Sequence, residues 1–283
     1  METKRLVVPV AEEILGREYS VLNKGFIRLV DYMGGDESIV QAARVAYGKG
    51  TKKVSEGRGL IRNLMRNEHT SPFEMVEFKW HCKMPIFVAR QWIRHRTANV
   101  NEYSMRYSQP RDEFYIPALE RVKFQSSSNK QGSGEEVPKD LALEFVDWVI
   151  NTDDDSMKKY KKFSDENIAR ELVRIGLPLN TYTEWYWKCD LHNTLHFLKL
   201  RMAPEAQYEI REYANAMAGI IKQIVPLTYE AFDDYVLGGV RLSKQEIETM
   251  KKYGMKISAN ELEESNLSGG EQKEFLEKLK KFE

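Results

Sequence analysis

Cysteine is nearly absent: among 283 residues only Cys82 and Cys189 occur, too few for a disulfide framework, which fits a reducing, cytoplasmic setting. Excess charge of either sign is missing too, because 43 Lys and Arg balance 43 Asp and Glu. A neutral chain has no overall field to draw it to nucleic acid or to a membrane, so any anion site must be local. No stretch approaches the ~20 apolar residues of a membrane span, and the apolar run in METKRLVVPVAEE is too short for a signal peptide. Three fingerprints are lacking as well: G-x-G-x-x-G, G-x-x-x-x-G-K-[ST] and H-E-x-x-H. Any dinucleotide must therefore bind outside a Rossmann fold, and neither a P-loop nor a helix-borne zinc pair is expected. LSGGEQ at 267–272 matches an ATPase signature, but without a P-loop partner it is a coincidence.

What is present suits a globular protein with a real core, at 42% hydrophobic and 30% charged residues. The length allows one large domain or two of ordinary size, and one core with appendages is expected. Strand then helix is the reading of 25–47, with Ile27, Leu29 and Val30 followed by helically spaced Ile39, Ala42, Ala43, Ala46 and Tyr47. Leu60, Ile61, Leu64 and Met65 mark a second helix that stops before His69, and Ser71-Pro72-Phe73-Glu74 predicts a single turn. Val76, Phe78, Trp80, Cys82 and Met84 alternate with charged and polar residues, the clearest strand signal in the chain. Pro85 opens a helix whose C-terminal end is Arg94-His95-Arg96, with a loop after it. Further helices are predicted at about 139–150, 164–176 and 204–225, and Asp190 is expected to cap a short helix. The Ser- and Gly-rich 124–138 reads as a flexible insertion, and the chain from about Ser243 as a charged, amphipathic tail.

The chemistry concentrates in QWIRHRTANVNEYSMRY at 91–107, where Arg94-His95-Arg96 is followed after seven residues by Ser104. Two guanidiniums around an imidazole, with Glu102 and Arg106 nearby, can grip several anionic or planar groups at once. Arg174 and Arg201 add further cations, and Gln91 and Glu102 can hydrogen-bond ribose or base edges. Singly, each Arg reads as a surface or helix-end side chain; the spacing reverses that reading. His69 is either a solvated loop residue or one facing a ligand. His192 and His196 have the i,i+4 spacing of a metal pair, but a structural or ligand-contacting role is favoured over zinc. Cys82 falls on the apolar face of its strand and should be buried and inert, and Ser104 lacks a good activating base, so it is assigned to binding. Trp185, Tyr186 and Trp187 either stack on a ligand or pack in the core.

RHR-x7-S resembles the signature of the flavin-dependent thymidylate synthases, the ThyX family. His69-Thr70-Ser71-Pro72-Phe73-Glu74, the run from Arg174 through Leu177-Pro178-Leu179-Asn180, and Phe197-Leu198-Lys199-Leu200-Arg201 are similar to the family too, so the likeness spans roughly Leu29 to Tyr235. The resemblance implies an α+β fold with a mainly antiparallel sheet and surrounding helices, in a catalytic domain over 1–242 with a tail at 243–283. It implies dTMP made from dUMP with methylenetetrahydrofolate as carbon donor and FAD reduced by NADPH, in a homotetramer with shared active sites. By that resemblance Ser71, Arg94, His95, Arg96, Glu102, Asp190 and His196 match flavin-contacting positions, and Gln91, Arg94, Glu102, Ser104, Arg106, Arg174 and Arg201 match dUMP-contacting ones. Arg201 matches the position held to favour ionisation of the uracil N3, and His69 the border of the folate or nicotinamide entry. Two departures stand out: family members often carry Asn at the places of Asp190 and His196, and a carboxylate beside a flavin phosphate is unfavourable unless it accepts from ribose or caps its helix. The alternative reading is a non-enzymatic nucleic-acid-binding module using the RHR loop with Tyr103 and Tyr107, against which net neutrality speaks.

Overall fold

Two strands carry the centre of the molecule. In the computed structural model, which describes residues 5–45, 57–127, 132–253 and 269–279, β3 (Glu77–Pro85) pairs along its whole length with β7 (Tyr182–Asp190). The register sets Trp80 opposite Trp187, Cys82 opposite Trp185 and Phe78 opposite Cys189, so one face of the pair is continuously apolar. All six of these side chains are buried. The period-two pattern of β3 has this cause: its odd-numbered neighbours Glu77, Lys79 and His81 point to the other, half-exposed face. Trp185 and Trp187 thus belong to the core, whereas Tyr186 between them is exposed.

β1 (Glu18–Val21) and β2 (Gly25–Met33) extend the sheet on one side and β4 (Asn99–Glu102) on the other, giving the order β1-β2-β3-β7-β4. Among the described residues every strand pairing is antiparallel, so the fold is α+β and holds no Rossmann βαβ unit.

Helices cover the apolar face. They include α1 (Pro9–Ile14), α2 (Asp36–Val45), α3 (Gly57–Arg66) and α4 (Ile86–Trp92). α5 (Lys139–Asp165) and α6 (Arg170–Val173) contribute no residue to the core cluster on that face, whereas α7 (Leu191–Arg201), α8 (Tyr208–Ile224) and α9 (Pro226–Phe232) belong to this layer too. The buried stripe of α8, from Ile210 through Tyr213, Met217 and Ile221 to Ile224, has the spacing of an amphipathic helix. Tyr213 also donates its hydroxyl to the Lys83 carbonyl at 2.7 Å. That approach requires Gly25, where an added Cβ would sit 1.9 Å from the Tyr213 oxygen.

Several sequence expectations change. The helix expected at 139–150 runs on to Asp165, and the one expected at 164–176 is only the four-residue α6 plus a 3-10 turn at Arg174–Gly176. The run ends at Gly176, before Pro178, where expected, but starts late because Asn167 at φ 62° separates it from α5. Part of the expected flexible insertion is ordered as a hairpin of β5 (Lys123–Gln125) and β6 (Ser133–Glu136), although 128–131 lie outside the described residues. Ala46 and Tyr47 of the second predicted element also lie outside them.

The described residues form two compact units, divided between Leu237 and Gly238. The second contains α10 (Lys244–Tyr253) and α11 (Gly269–Leu279). Leu267 and Ser268 of LSGGEQ lie outside the described residues, and the rest of that motif opens α11. No described helix is long and apolar enough to cross a membrane.

Candidate active site

Two helix ends meet at a cavity of about 330 Å³. One is the end of α4: the helix stops at Trp92, and Arg94-His95-Arg96 lies on the turn beyond it, not on its last turn as expected. The His95 N–H closes that turn by donating to the Trp92 carbonyl at 3.0 Å. The other is α7, which contributes Asn193, His196, Leu200 and Arg201 to the lining, while Thr97 and Cys189 complete it. A helical period explains the α7 set, because Asn193, His196 and Leu200 fall at i, i+3 and i+7 on one face.

Among the described residues no carboxylate lines this cavity. The Arg94 and Arg96 guanidiniums have no hydrogen-bond or ion-pair partner among the described residues. Arg201 donates from Nε to His95 Nε2 at 3.0 Å and from Nη2 to the Gln91 carbonyl at 3.4 Å, so it too lacks a counter-charge. Burial, then the neighbouring Arg94 charge, lowers the Arg201 pKa. Three arginines without an acid constitute a cationic site that an anionic ligand would neutralise.

The histidines are biased towards neutrality. Burial, then Arg201 and His196, depresses His95 to about 4, and burial with His192 and Lys199 lowers His196. The Cys189 thiol donates to the Thr97 carbonyl at 3.3 Å and is pushed up to about 12 by burial. Cys82 is fully buried and burial raises its thiol well above the ordinary range, in keeping with an inert core residue. Among the described residues no group of three His, Cys, Asp or Glu is placed to hold a metal ion.

Asp190 is the N-cap of α7, its two carboxylate oxygens accepting from the Asn193 backbone N–H at 2.9 Å and side-chain amide at 2.8 Å. Its charge is thereby engaged by the helix, and Asn193, not singled out from the sequence, lines the cavity. A signal for Asn193 existed: it stands three residues after the cap and three before His196.

The remaining sequence candidates lie elsewhere. Glu102 ends β4 and accepts from the Thr183 hydroxyl at 2.8 Å. Ser104 starts a turn, its Oγ accepting from the Arg106 N–H at 3.3 Å and its carbonyl from Tyr107 and Ser108. Arg106 pairs with Glu171 at 3.2 Å, and Arg170 donates to the Tyr107 carbonyl at 2.9 Å, which ties α6 to this turn. Arg174 follows one helical turn later and is exposed, as are the apolar Leu172, Ile175 and Leu179 around it. Ser104, Arg106 and Arg174 are thus joined through α6 into a second group, and neither they nor Glu102 line the α4–α7 cavity.

His69 and Ser71 form a third group. α3 ends with Glu68 at φ 57° and with His69 N–H donating to the Leu64 carbonyl at 2.9 Å, a Schellman-type stop that leaves the His69 side chain exposed. Ser71 is exposed as well and caps nothing with its side chain; the 3-10 turn Phe73–Met75 follows. The Gln91 side chain is drawn away from the cavity to the Gln207 amide oxygen.

Comparison with known proteins decides the family. Residues 28–227 match the family described as thymidylate synthase complementing protein. The flavin-dependent thymidylate synthase of Wolbachia pipientis wMel is 53% identical over 279 residues, covering 99% of this chain and 98% of that protein. The chain belongs to the flavin-dependent thymidylate synthases. The enzyme of that name from Ehrlichia ruminantium (strain Gardel) is 56% identical over 250 residues, or 88% of this chain and 84% of its own. A crystal structure of the UMP/dUMP methylase PolB from Streptomyces cacaoi bound with 5-Br dUMP has a TM-score of 0.70 at 31% identity, covering 77% of this chain and 98% of PolB. As a flavin-dependent thymidylate synthase the protein is an enzyme, a methyltransferase, which removes the non-enzymatic nucleic-acid module as a reading.

Proposed function

We propose that this enzyme converts dUMP to dTMP, taking a one-carbon unit from methylenetetrahydrofolate and reducing equivalents from NADPH through FAD. The uracil C5 loses a proton and gains a methylene, which two electrons and a proton complete to methyl, while the folate leaves as tetrahydrofolate. The observation that carries this reading is the acid-free cavity bounded by Arg94, Arg96 and Arg201. Its donor set fits a flavin and a nucleotide: guanidiniums for phosphate, imidazoles and the Asn193 amide for ring edges, and no carboxylate to repel them. Bound FAD supplies the redox chemistry that side chains cannot.

The chain's own residues bind and polarise. Ser71, Arg94, His95, Arg96, Glu102, Asp190 and His196 are assigned to the flavin, Asp190 by holding the start of α7 and not by direct charge. Gln91, Arg94, Glu102, Ser104, Arg106, Arg174 and Arg201 are assigned to dUMP. Arg201 stabilises negative charge developing on the pyrimidine, and His69 borders the entry of folate or nicotinamide.

Splitting of the dUMP set into two clusters supports a homotetramer in which different subunits complete one site. The exposed Leu172, Ile175 and Leu179 beside Arg174 fit coverage by another subunit. Two buried, unpaired thiols favour the cytoplasm, and residues 1–242 are assigned the activity, with 243–283 as an appendage.

A flavin spectrum tests the proposal. Purified protein should be yellow, bleach with NADPH, and reoxidise only when dUMP and methylenetetrahydrofolate are added, with dTMP as product. A colourless protein, or reoxidation indifferent to dUMP, would overturn it.

A further inference from the structure

We propose that His95 is a positioning residue: its unprotonated Nε2 holds the Nε–H of Arg201 and so aims the two terminal nitrogens of that guanidinium into the cavity. This rests on the assignment of Arg201 to dUMP made above.

The hydrogen bond fixes the chemistry. An Arg Nε–H can only donate, so at 3.0 Å the His95 Nε2 must accept, and the ring proton must sit on Nδ1. The ring is itself held: its backbone N–H is tied to Trp92, and it packs edge-to-face with the buried Phe197, centroid to centroid 5.0 Å at 78°. The His196 ring lies 5.9 Å away. Arg201 is thus gripped at Nε by a ring that cannot turn freely, its Nη2 makes one long contact to Gln91, and its Nη1 has no partner among the described residues.

An uncharged orienting group has a consequence that a carboxylate would not. Asp or Glu at this place would orient the guanidinium equally well but cancel its charge. A neutral imidazole orients it and leaves the full positive charge for the ligand. Protonation of His95 would remove the acceptor and set two cations against each other, and the depression of its pKa to about 4 keeps it neutral across the physiological range.

Two substitutions separate this role from simple packing. His95→Gln places an amide oxygen near the Nε2 position but loses the ring, whereas His95→Phe keeps the ring against Phe197 but loses the acceptor. Positioning predicts that Phe lowers the rate of dUMP-dependent flavin reoxidation by roughly 10–100-fold, the range for loss of an orienting partner, and that Gln recovers at least tenfold over Phe. Packing predicts the opposite order. Nitrogen-15 NMR of the full-length, flavin-loaded protein gives a readout independent of turnover. It should show His95 protonated at Nδ1 only at neutral pH, and an Arg201 Nε–H protected from exchange in the wild type and in His95→Gln but not in His95→Phe. Failure of the wild type to use dUMP would refute the proposed function while leaving this NMR test standing. A doubly protonated His95 at pH 7, Phe outperforming Gln, two variants alike, or an unprotected Arg201 Nε–H would each overturn the positioning role.

Discussion

Trp92 and Phe197 stack face to face, with ring centroids 4.7 Å apart and planes 22° from parallel. Trp92 ends α4 two residues before Arg94, and Phe197 lies on α7 one turn before Arg201, so this one contact sets the spacing of the two halves of the cavity. Both side chains are fully buried. Phe197→Ala should cost about 3–5 kcal/mol of stability, and Phe197→Leu less, as read from urea unfolding midpoints. A cost below about 1 kcal/mol for the Ala variant would show that the stack is not what holds the helices.

Arg201→Ala should lower turnover by roughly 10²–10³, the scale of losing one preorganised electrostatic donor. Lys should recover only part, because a point ammonium cannot reproduce a planar pair of donors. Flavin should stay bound in both variants. Joint loss of flavin and dUMP binding, measured by absorbance and by nucleotide titration, would reassign Arg201 to the cofactor or the fold.

Cys82→Ala should keep turnover and cost stability, since the thiol is completely enclosed between Trp185 and the rest of the apolar sheet face. Native protein should react slowly with thiol reagents at both cysteines, and unfolded protein quickly. Loss of turnover in a folded, flavin-loaded Cys82→Ala enzyme would bring back a thiol nucleophile.

Asp153 on α5 predicts a pH signature. It lines an apolar cleft of about 370 Å³ with Phe145, Trp148, Leu179 and Asn180, and is 3% exposed. Among the described residues only one carboxylate oxygen has a partner, the Asn180 amide at 2.8 Å. Burial raises the Asp153 pKa from 3.8 to about 6. A carboxyl raised on folding binds more protons in the native state, so its ionised form costs stability above pH 6 and protonation relieves that cost between about 6 and 3.8. Asp153→Asn should therefore be more stable than the wild type at pH 8, with the advantage shrinking as pH falls through this window. A pH-independent difference in melting temperature would rule this out.

Truncation after residue 242 should leave dUMP-dependent flavin reoxidation largely intact, as should shortening of the β5–β6 turn. Both segments lack residues assigned to either ligand. Lost turnover in a folded, flavin-loaded truncation would place part of the second unit in the catalytic machinery.

Local periodicity made much of this protein readable in advance. Alternation in 76–84 predicted β3, and the polar residue before an apolar helix identified Asp190 as a cap, because both depend on nearest neighbours along the chain. The same alternation in YTEWYWKCD carries β7, but Trp185, Tyr186 and Trp187 also suited a ligand platform, and only pairing with β3 buried the two tryptophans. The reach of α5 past residue 150 is carried by the buried Asp153, Met157 and Tyr160 at i, i+4 and i+7, and the hairpin in the Ser- and Gly-rich stretch by β5–β6 pairing, neither of which was expected from the sequence.

For the site, motif spacing marked Arg94, His95, Arg96 and Arg201 but not their relationship. That His95 accepts from Arg201, 106 residues away in sequence, follows from α4 and α7 being clamped together by buried aromatics. The order of side chains along the chain decides which chemical groups are available; only the closure of long loops by a shared core decides which of them face one another.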